Sequence, residues 1–337
     1  YYMTVLLTWV LVFLPANRAF SLDARFKPEI RTTTHPNWIR WFFVIQIGIV
    51  YTFASIAKIY PDWLALKPLM IWLPPRSHFY VIGPLFEHTW FLALIAYGGI
   101  IFDLLATPLL LWKRTRIPTF IISVLFHLFN SATFHIGIFP YMMIALTLFF
   151  FPPEVIRKRF FPARKLQDLP ATTLARKDRW MLATAGVYMV IQLALPLRHW
   201  FIPGNVTYTE EGHRMSWRMM LRSKTGTIYF KVVDNATGVE ENVYPTAFLT
   251  DKQARKMSFS PDMCWQFTQF LKKRYEDEGR SVAIYARGAV RLNKGPHYTL
   301  YDPYTDLAQV SWNYFWHNDW VPEIIPRNLG QVGVGVV

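Results

Sequence analysis

Apolar residues form long, almost unbroken blocks over the first 200 positions and short alternating segments after that. The runs Trp38 to Ala57, Trp90 to Trp112 and Trp180 to Leu197 approach the roughly 20 apolar residues that cross a hydrocarbon core. Their Trp and Tyr ends match the aromatic anchors of a membrane interface. The block from Ile117 to Phe151 is too long for one crossing, and Gly137 and Pro140 predict a turn inside it. The expected apolar segments are therefore 1–14, 38–57, 90–112, 117–134, 136–151 and 180–197. Tyr1 to Leu14 has neither a basic leading region nor a small-residue cleavage site, so it reads as a cut span and not as a signal peptide.

Beyond residue 200 the pattern switches period. Thr227 to Val233 and Val282 to Ala286 alternate as strands do, with turn signals at Asp234-Asn235, Gly238 and Lys294-Gly295-Pro296. Pro261 to Tyr275 has helical spacing. The expected fold is an α-helical polytopic membrane bundle over residues 1–199, followed by a mostly β (α+β) soluble domain over 200–337.

Composition agrees with a bilayer environment: 53% of residues are apolar and 17% aromatic. The net charge of +14 would elsewhere suggest nucleic acid. Here the basic residues cluster in short loops beside the spans, where topology and anionic lipid account for them. Lys113, Arg114 and Arg116 precede the hairpin, and Arg157, Lys158, Arg159, Arg164, Lys165, Arg176, Lys177 and Arg179 follow it. The positive-inside rule puts both loops on the cytoplasmic side, together with Arg25, Lys27, Arg31 and Arg40. Loop 58–89 and everything after about residue 200 then fall on the exoplasmic side. Cys264 is the one cysteine, which leaves no internal disulfide and no thiolate metal cluster. No metal is expected.

Ionisable residues in or at a span are expensive, so each is a functional candidate. Lys58 closes the apolar run Gly48 to Ala57 and precedes Tyr60-Pro61-Asp62-Trp63. Two readings fit it: a lysine snorkelling at the interface beside Asp62, or a base in a partly dry site. Asp103 sits mid-span after Gly98-Gly99 and needs a partner, either structural or for proton handling. His127, Asn130, Ser131 and Phe134 share one helix face that leads to His135. Such a stripe serves hydrogen bonds between helices or faces a cavity. The hairpin turn is expected to bring His135, and with it His127, toward the leaflet of Lys58. An apolar chamber with an amine, imidazoles and an amide suits a quinone-like, lipid-soluble ligand.

Ordered strings then match a family. Gln46-Ile47, Ile49-Val50-Tyr51, Phe53, Lys58 and Asp62-Trp63 come first, followed by Asp103-Leu104, Phe126-His127, Asn130-Ser131, Phe134, Ile136-Gly137 and Phe139. Leu195-Pro196, His199, Ser216-Trp217, Met219-Met220, Tyr301-Asp302-Pro303, Asp306, Trp312 and Trp320 continue the series. Together they resemble the vitamin K-dependent γ-glutamyl carboxylases. The resemblance implies an enzyme that deprotonates reduced vitamin K, combines it with oxygen, and uses the resulting strong base to remove a γ-proton from a peptide glutamate, after which carbon dioxide traps the carbanion. A γ-CH is far too weak an acid for a side-chain base alone. Lys58 matches the lysine that starts the sequence, His127 and Asn130 match polar residues near the quinol, and Asp103 matches a family position. With His135 these form the expected cofactor site, and the partners are a glutamate-containing peptide or protein and membrane lipid.

The family's Asn-His element would lie upstream of Tyr1, so the chain reads as N-terminally truncated. The long C-terminal region and the disulfide of the animal enzymes have no counterpart, which suggests a bacterial-type relative. Two alternatives stand beside the carboxylase: a relative that oxygenates the quinol without carboxylating, and a non-enzymatic membrane receptor or immunity protein.

Overall fold

The computed structural model describes residues 2–19, 21–32, 35–134, 136–160 and 176–324. It comprises two compact units. One is formed by 1–59 with 76–194, the other by 60–75 with 195–337.

The first unit is helical. It contains α1 (Tyr2–Phe13), α2 (Leu22–Phe26) and α3 (Asn37–Lys58), and the chain returns to it after α4 (Pro61–Leu64) and α5 (Lys67–Trp72). Then follow α6 (Thr89–Leu111), α7 (Arg116–Phe134), α8 (Phe139–Thr147), α9 (Pro153–Phe160) and α10 (Arg176–Leu197), whose last turn enters the second unit. Among the described residues, helices 37–58, 89–111, 116–134 and 179–200 are long and apolar enough to span a bilayer. The chain is a membrane protein of the expected helical kind. The predicted hairpin is present, with Gly137 at φ +69° in the turn between α7 and α8. Its second arm is short. Helix 139–150 breaks at Pro152-Pro153 and meets α9 at 110°, since proline supplies no N–H to continue the ladder.

Helix α3 is the core of this unit, with twelve of its residues buried, and it packs most extensively on α6. Gly48 permits that approach: a β-carbon there would lie 3.3 Å from Thr107 Cγ2 of α6. Two arginines used above as topological markers also cap helix ends. Arg116 donates to the carbonyls of Leu110 (2.8 Å) and Leu111 (2.9 Å) at the close of α6. Arg40 donates to those of Phe149 (2.8 Å) and Phe150 (3.3 Å) after α8. A bilayer offers carbonyls no water, so terminal groups need such partners.

The second unit adds α11 (Val206–Thr209), β1 (Lys224–Asp234), β2 (Glu240–Val243), α12 (Asp251–Met257), α13 (Pro261–Asp277), β3 (Val282–Leu292) and β4 (His297–Tyr298). The antiparallel sheet runs β2-β1-β3-β4, with Phe230 opposite Ala286 and Val232 opposite Ile284. Helix α13 packs on β3, and α12 on β1. Phe230, Val232, Leu271, Ile284, Leu300 and Leu307 form the centre of the core. Cys264 is buried within it as a packing residue. The predicted turns are where expected: Asp234 Oδ1 accepts from Ala236 and Thr237 N–H in the β1–β2 turn, and Gly238 has φ +69°.

Segment 60–75 belongs to this unit. Asn293 donates to Asp62 at 2.9 Å, and the Tyr60 hydroxyl donates to the Leu221 carbonyl.

Gly288 holds the sheet closed, because a β-carbon there would meet the Thr227 carbonyl oxygen at 2.2 Å. Replacing Gly288 with Ala is expected to destabilise the C-terminal unit by about 1–3 kcal/mol, measured as a lower unfolding midpoint of the purified protein.

Candidate functional site

On α3, Tyr51, Ser55 and Lys58 stand at i, i+4 and i+7 and so share a face. Each is held by a different partner. Ser55 Oγ donates to the Ile100 carbonyl of α6 at 2.9 Å. Lys58 Nζ donates to Asp103 Oδ2 of α6 at 2.5 Å and to the Ala54 carbonyl at 3.1 Å. The two side chains are only 12% and 5% exposed, so the pair is removed from solvent. Tyr51 Oη and His127 Nε2 of α7 form a hydrogen bond of 2.8 Å. Around this second pair are the rings of Phe102 and Phe126, with centroids 4.4 Å apart. Phe102 also meets the edge of Tyr51 at 5.7 Å.

The structure thus joins Lys58 with Asp103, two residues singled out separately in the sequence. Asp62, the alternative partner, is engaged by Lys67 at 2.7 Å and by Asn293. His127 is joined to Tyr51, seven residues before Lys58 and therefore roughly 10 Å down the helix axis. Asn130 donates to the Phe126 carbonyl at 2.9 Å, and Ser131 to Tyr141 Oη at 3.0 Å. His135 lies outside the described residues. The buried polar stripe of α7 is Thr119, Ser123, His127 and Thr133. Only His127 of these was picked out by its type; the spacing of four between Thr119, Ser123 and His127 was the available signal. Tyr51 was missed as a site residue because a tyrosine in an apolar helix reads as packing.

Elsewhere in the helical unit, Leu6, Trp9, Phe13, Trp38, Phe42 and Tyr188 line part of an apolar groove of about 500 Å³. It lies toward the opposite end of α3 from Lys58, and none of the site residues above lines it.

The C-terminal unit contains a buried ionic cluster that the sequence reading did not find. Glu210 accepts from both Arg222 Nε (2.9 Å) and Nη2, and from Lys224 Nζ at 2.7 Å. Burial would raise the Glu210 pKa, but Arg222 and Lys224 outweigh it and hold the carboxyl far below the usual range. Burial, assisted by Arg222, pushes Lys224 down to about 8 against the pull of Glu210. Burial and the Arg222 charge likewise keep His213 neutral well below pH 6.5. The connecting segment is strained: Met215, Trp217 and Met220 have φ of 62°, 53° and 49°, a region that bulky residues rarely adopt. Backbone strain of this kind collects at functional segments. A spacing of four residues between Arg218 and Arg222, both of which act on Glu210, was the trace of this cluster in the sequence.

Two family models match the chain. The vitamin K-dependent gamma-carboxylase lumenal domain matches residues 177–326, and the HTTM domain matches residues 1–154. Together the two matches support the gamma-carboxylase family for this chain. No solved structure matches it. The matched domains support a vitamin K-dependent carboxylase-like function, and that family implies a vitamin K cofactor. Of the resemblance residues, several prove to be scaffold. Tyr301 stacks on Trp320 at 6.0 Å and its hydroxyl donates to the Met257 and Ser258 carbonyls. Asp306 Oδ1 accepts from the N–H groups of Ile284 and Ala308. Among the described residues no group of His, Cys, Asp and Glu could hold a metal.

Two outcomes follow from these charges. Asp103→Asn strands the buried Lys58 charge and is expected to cost about 3–5 kcal/mol of stability, whereas the double replacement Lys58→Met/Asp103→Leu recovers most of it; thermal unfolding in detergent distinguishes the three proteins. His213 is kept neutral in the folded state, so its contribution is complete above pH 6.5 and is lost as pH falls below that value. Stability should decline between pH 6.5 and 5 by at most about 1.4 kcal/mol per pH unit from this group, and His213→Asn should flatten that decline in a pH series of unfolding midpoints.

Proposed function

We propose that the protein is a vitamin K hydroquinone-dependent γ-glutamyl carboxylase, with Lys58 as the base that takes the quinol proton. The single observation that carries the reading is the buried Lys58–Asp103 pair, 2.5 Å apart, in a chain of this family. An amine and a carboxylate in contact can exchange one proton while the pair as a whole stays neutral, which a dry site requires. Asp103 therefore positions Lys58 and shares its proton.

The residues present suit the cofactor. A quinol offers a flat apolar ring and hydroxyl groups, and the helical unit supplies aromatic rings in Phe102 and Phe126 beside polar pairs able to handle protons at oxygen. Lys58 and Asp103 would meet a hydroxyl, with His127 and Asn130 as further polar neighbours. Together with oxygen, the bound quinol supplies the strong base that a glutamate γ-CH demands. Carbon dioxide then adds to the substrate carbanion, giving γ-carboxyglutamate in a peptide or protein. The C-terminal unit is assigned to the exoplasmic side, in line with the basic loops and with the lumenal domain that its sequence matches.

The test is incubation of the protein with reduced vitamin K, labelled carbon dioxide and a Glu-rich peptide. Wild type should incorporate label, and Lys58→Ala should lower incorporation by about 10²–10⁴-fold, the usual contribution of a general base. Incorporation that survives Lys58→Ala would remove Lys58 from the role. Quinone epoxide without label would select the oxygenating relative, and neither product would select the non-enzymatic one.

A further inference from the structure

Residues 313–317 form a loop in the C-terminal unit that displays three consecutive aromatic side chains. Tyr314, Phe315 and Trp316 are 59%, 58% and 65% exposed. Burying such a side chain is worth roughly 1.5–3 kcal/mol, so three together on a water-facing loop forgo a large gain. The loop is nevertheless firmly built. Asn313 Oδ1 accepts from the N–H groups of Phe315 and Trp316, both at 3.0 Å. Asn318 Oδ1 accepts from Asn313 N–H at 2.8 Å, and Asn318 Nδ2 donates to the Asn313 carbonyl at 3.1 Å. Behind them, buried Glu211 accepts from Asn318 N–H and Nδ2 and bonds to His317 Nδ1 at 2.8 Å. A carboxylate and an amide, 3% and 5% exposed, thus fix the backbone that turns the aromatic rings outward.

The position of this loop gives the rings a partner. The Arg198 guanidinium lies 5.8 Å from the centre of the Phe315 ring. Arg198 is in the last turn of the candidate span 179–200, so its depth is set by the bilayer. The headgroup layer is about 5–8 Å thick on each side of the hydrocarbon core, and a ring in contact with Arg198 falls within it. Trp200, the last residue of the span, and Phe201 just beyond it are also exposed, by 57% and 75%. Trp, Tyr and a snorkelling Arg are the side chains that favour this layer.

We propose that loop 313–317 is a membrane-seating element: Tyr314, Phe315 and Trp316 insert into the headgroup layer of the leaflet in which α10 ends, and so hold the C-terminal unit against the bilayer surface. The inference depends on the span and not on the reaction, so it stands whether or not carboxylation is found.

The test uses the whole protein in phosphatidylcholine nanodiscs, with a single environment-sensitive label at Phe315→Cys or, for comparison, at Val239→Cys in the exposed β1–β2 turn. Cys264 is fully buried, so one label per chain also reports that the fold is intact. The Phe315 label should be quenched at least three-fold more than the Val239 label by phosphatidylcholine carrying a nitroxide near its headgroup, and should be shielded from aqueous iodide. Equal access of iodide to both labels, without preferential quenching by the lipid nitroxide, would overturn the proposal. So would shielding that arises only on addition of a Glu-rich peptide, because the aromatic surface would then belong to peptide substrate.

Discussion

A lysine ammonium and an aspartate carboxylate cannot each sit alone in an apolar helical unit, and this constraint organises the arrangement around Lys58. The pair joins the end of α3 to the middle of α6, the two helices that pack most extensively in that unit. Gly48 and Thr107 allow the close approach along the same interface, and Ser55 ties it to the Ile100 carbonyl. The ion pair, the small residue and the side chain-to-backbone bond therefore act on one helix contact. Its charge is what gives that contact a chemical use, since apolar packing alone would have held the helices together at lower cost.

The same economy governs the helix ends. Arg40 and Arg116 sit where positive charge sets topology, and each also satisfies two carbonyls that a bilayer would leave bare. A lysine could supply the charge, but the planar guanidinium presents its N–H groups in a fixed fork that suits two neighbouring carbonyls. In the C-terminal unit, charge is used differently. Glu210 gathers Arg222 and Lys224 in the interior beside a strained segment, where they add ionic bonds to the packing of buried Trp217 and Leu221.

Much of this was legible in the sequence because the relevant signals are local. Span positions follow from runs of apolar residues, the α7–α8 turn from Gly137 and Pro140, and the sheet from alternation along residues 227–233 and 282–286. Lys58 and Asp103 were each conspicuous as charges in apolar surroundings, but their union was not legible, since 45 positions separate them and pairing across helices leaves no periodic trace. Tyr51 and Glu210 were missed for the reverse reason. A tyrosine among apolar residues and a glutamate in a polar stretch are ordinary by composition, and only burial with a specific partner makes them notable. The second arm of the hairpin was legible as well, since hydropathy stops at Phe151 and the backbone turns at Pro152-Pro153; the helix 153–160 beyond the turn was not, because half of its residues are charged.

Segment 60–75 carries a consequence for how this chain can be made. It follows directly on α3, yet it belongs to the unit whose remaining residues begin at Leu195, and Tyr60 and Asp62 bond to Leu221 and Asn293 there. During synthesis Tyr60 and Asp62 must wait for more than a hundred further residues before Leu221 and Asn293 exist, a long-range closure of the slow kind. A fragment starting at residue 195 would be born without Tyr60 and Asp62. Its sheet could pair, but the Leu221 carbonyl and the Asn293 amide would lack the Tyr60 hydroxyl and Asp62 carboxylate that meet them in the whole chain.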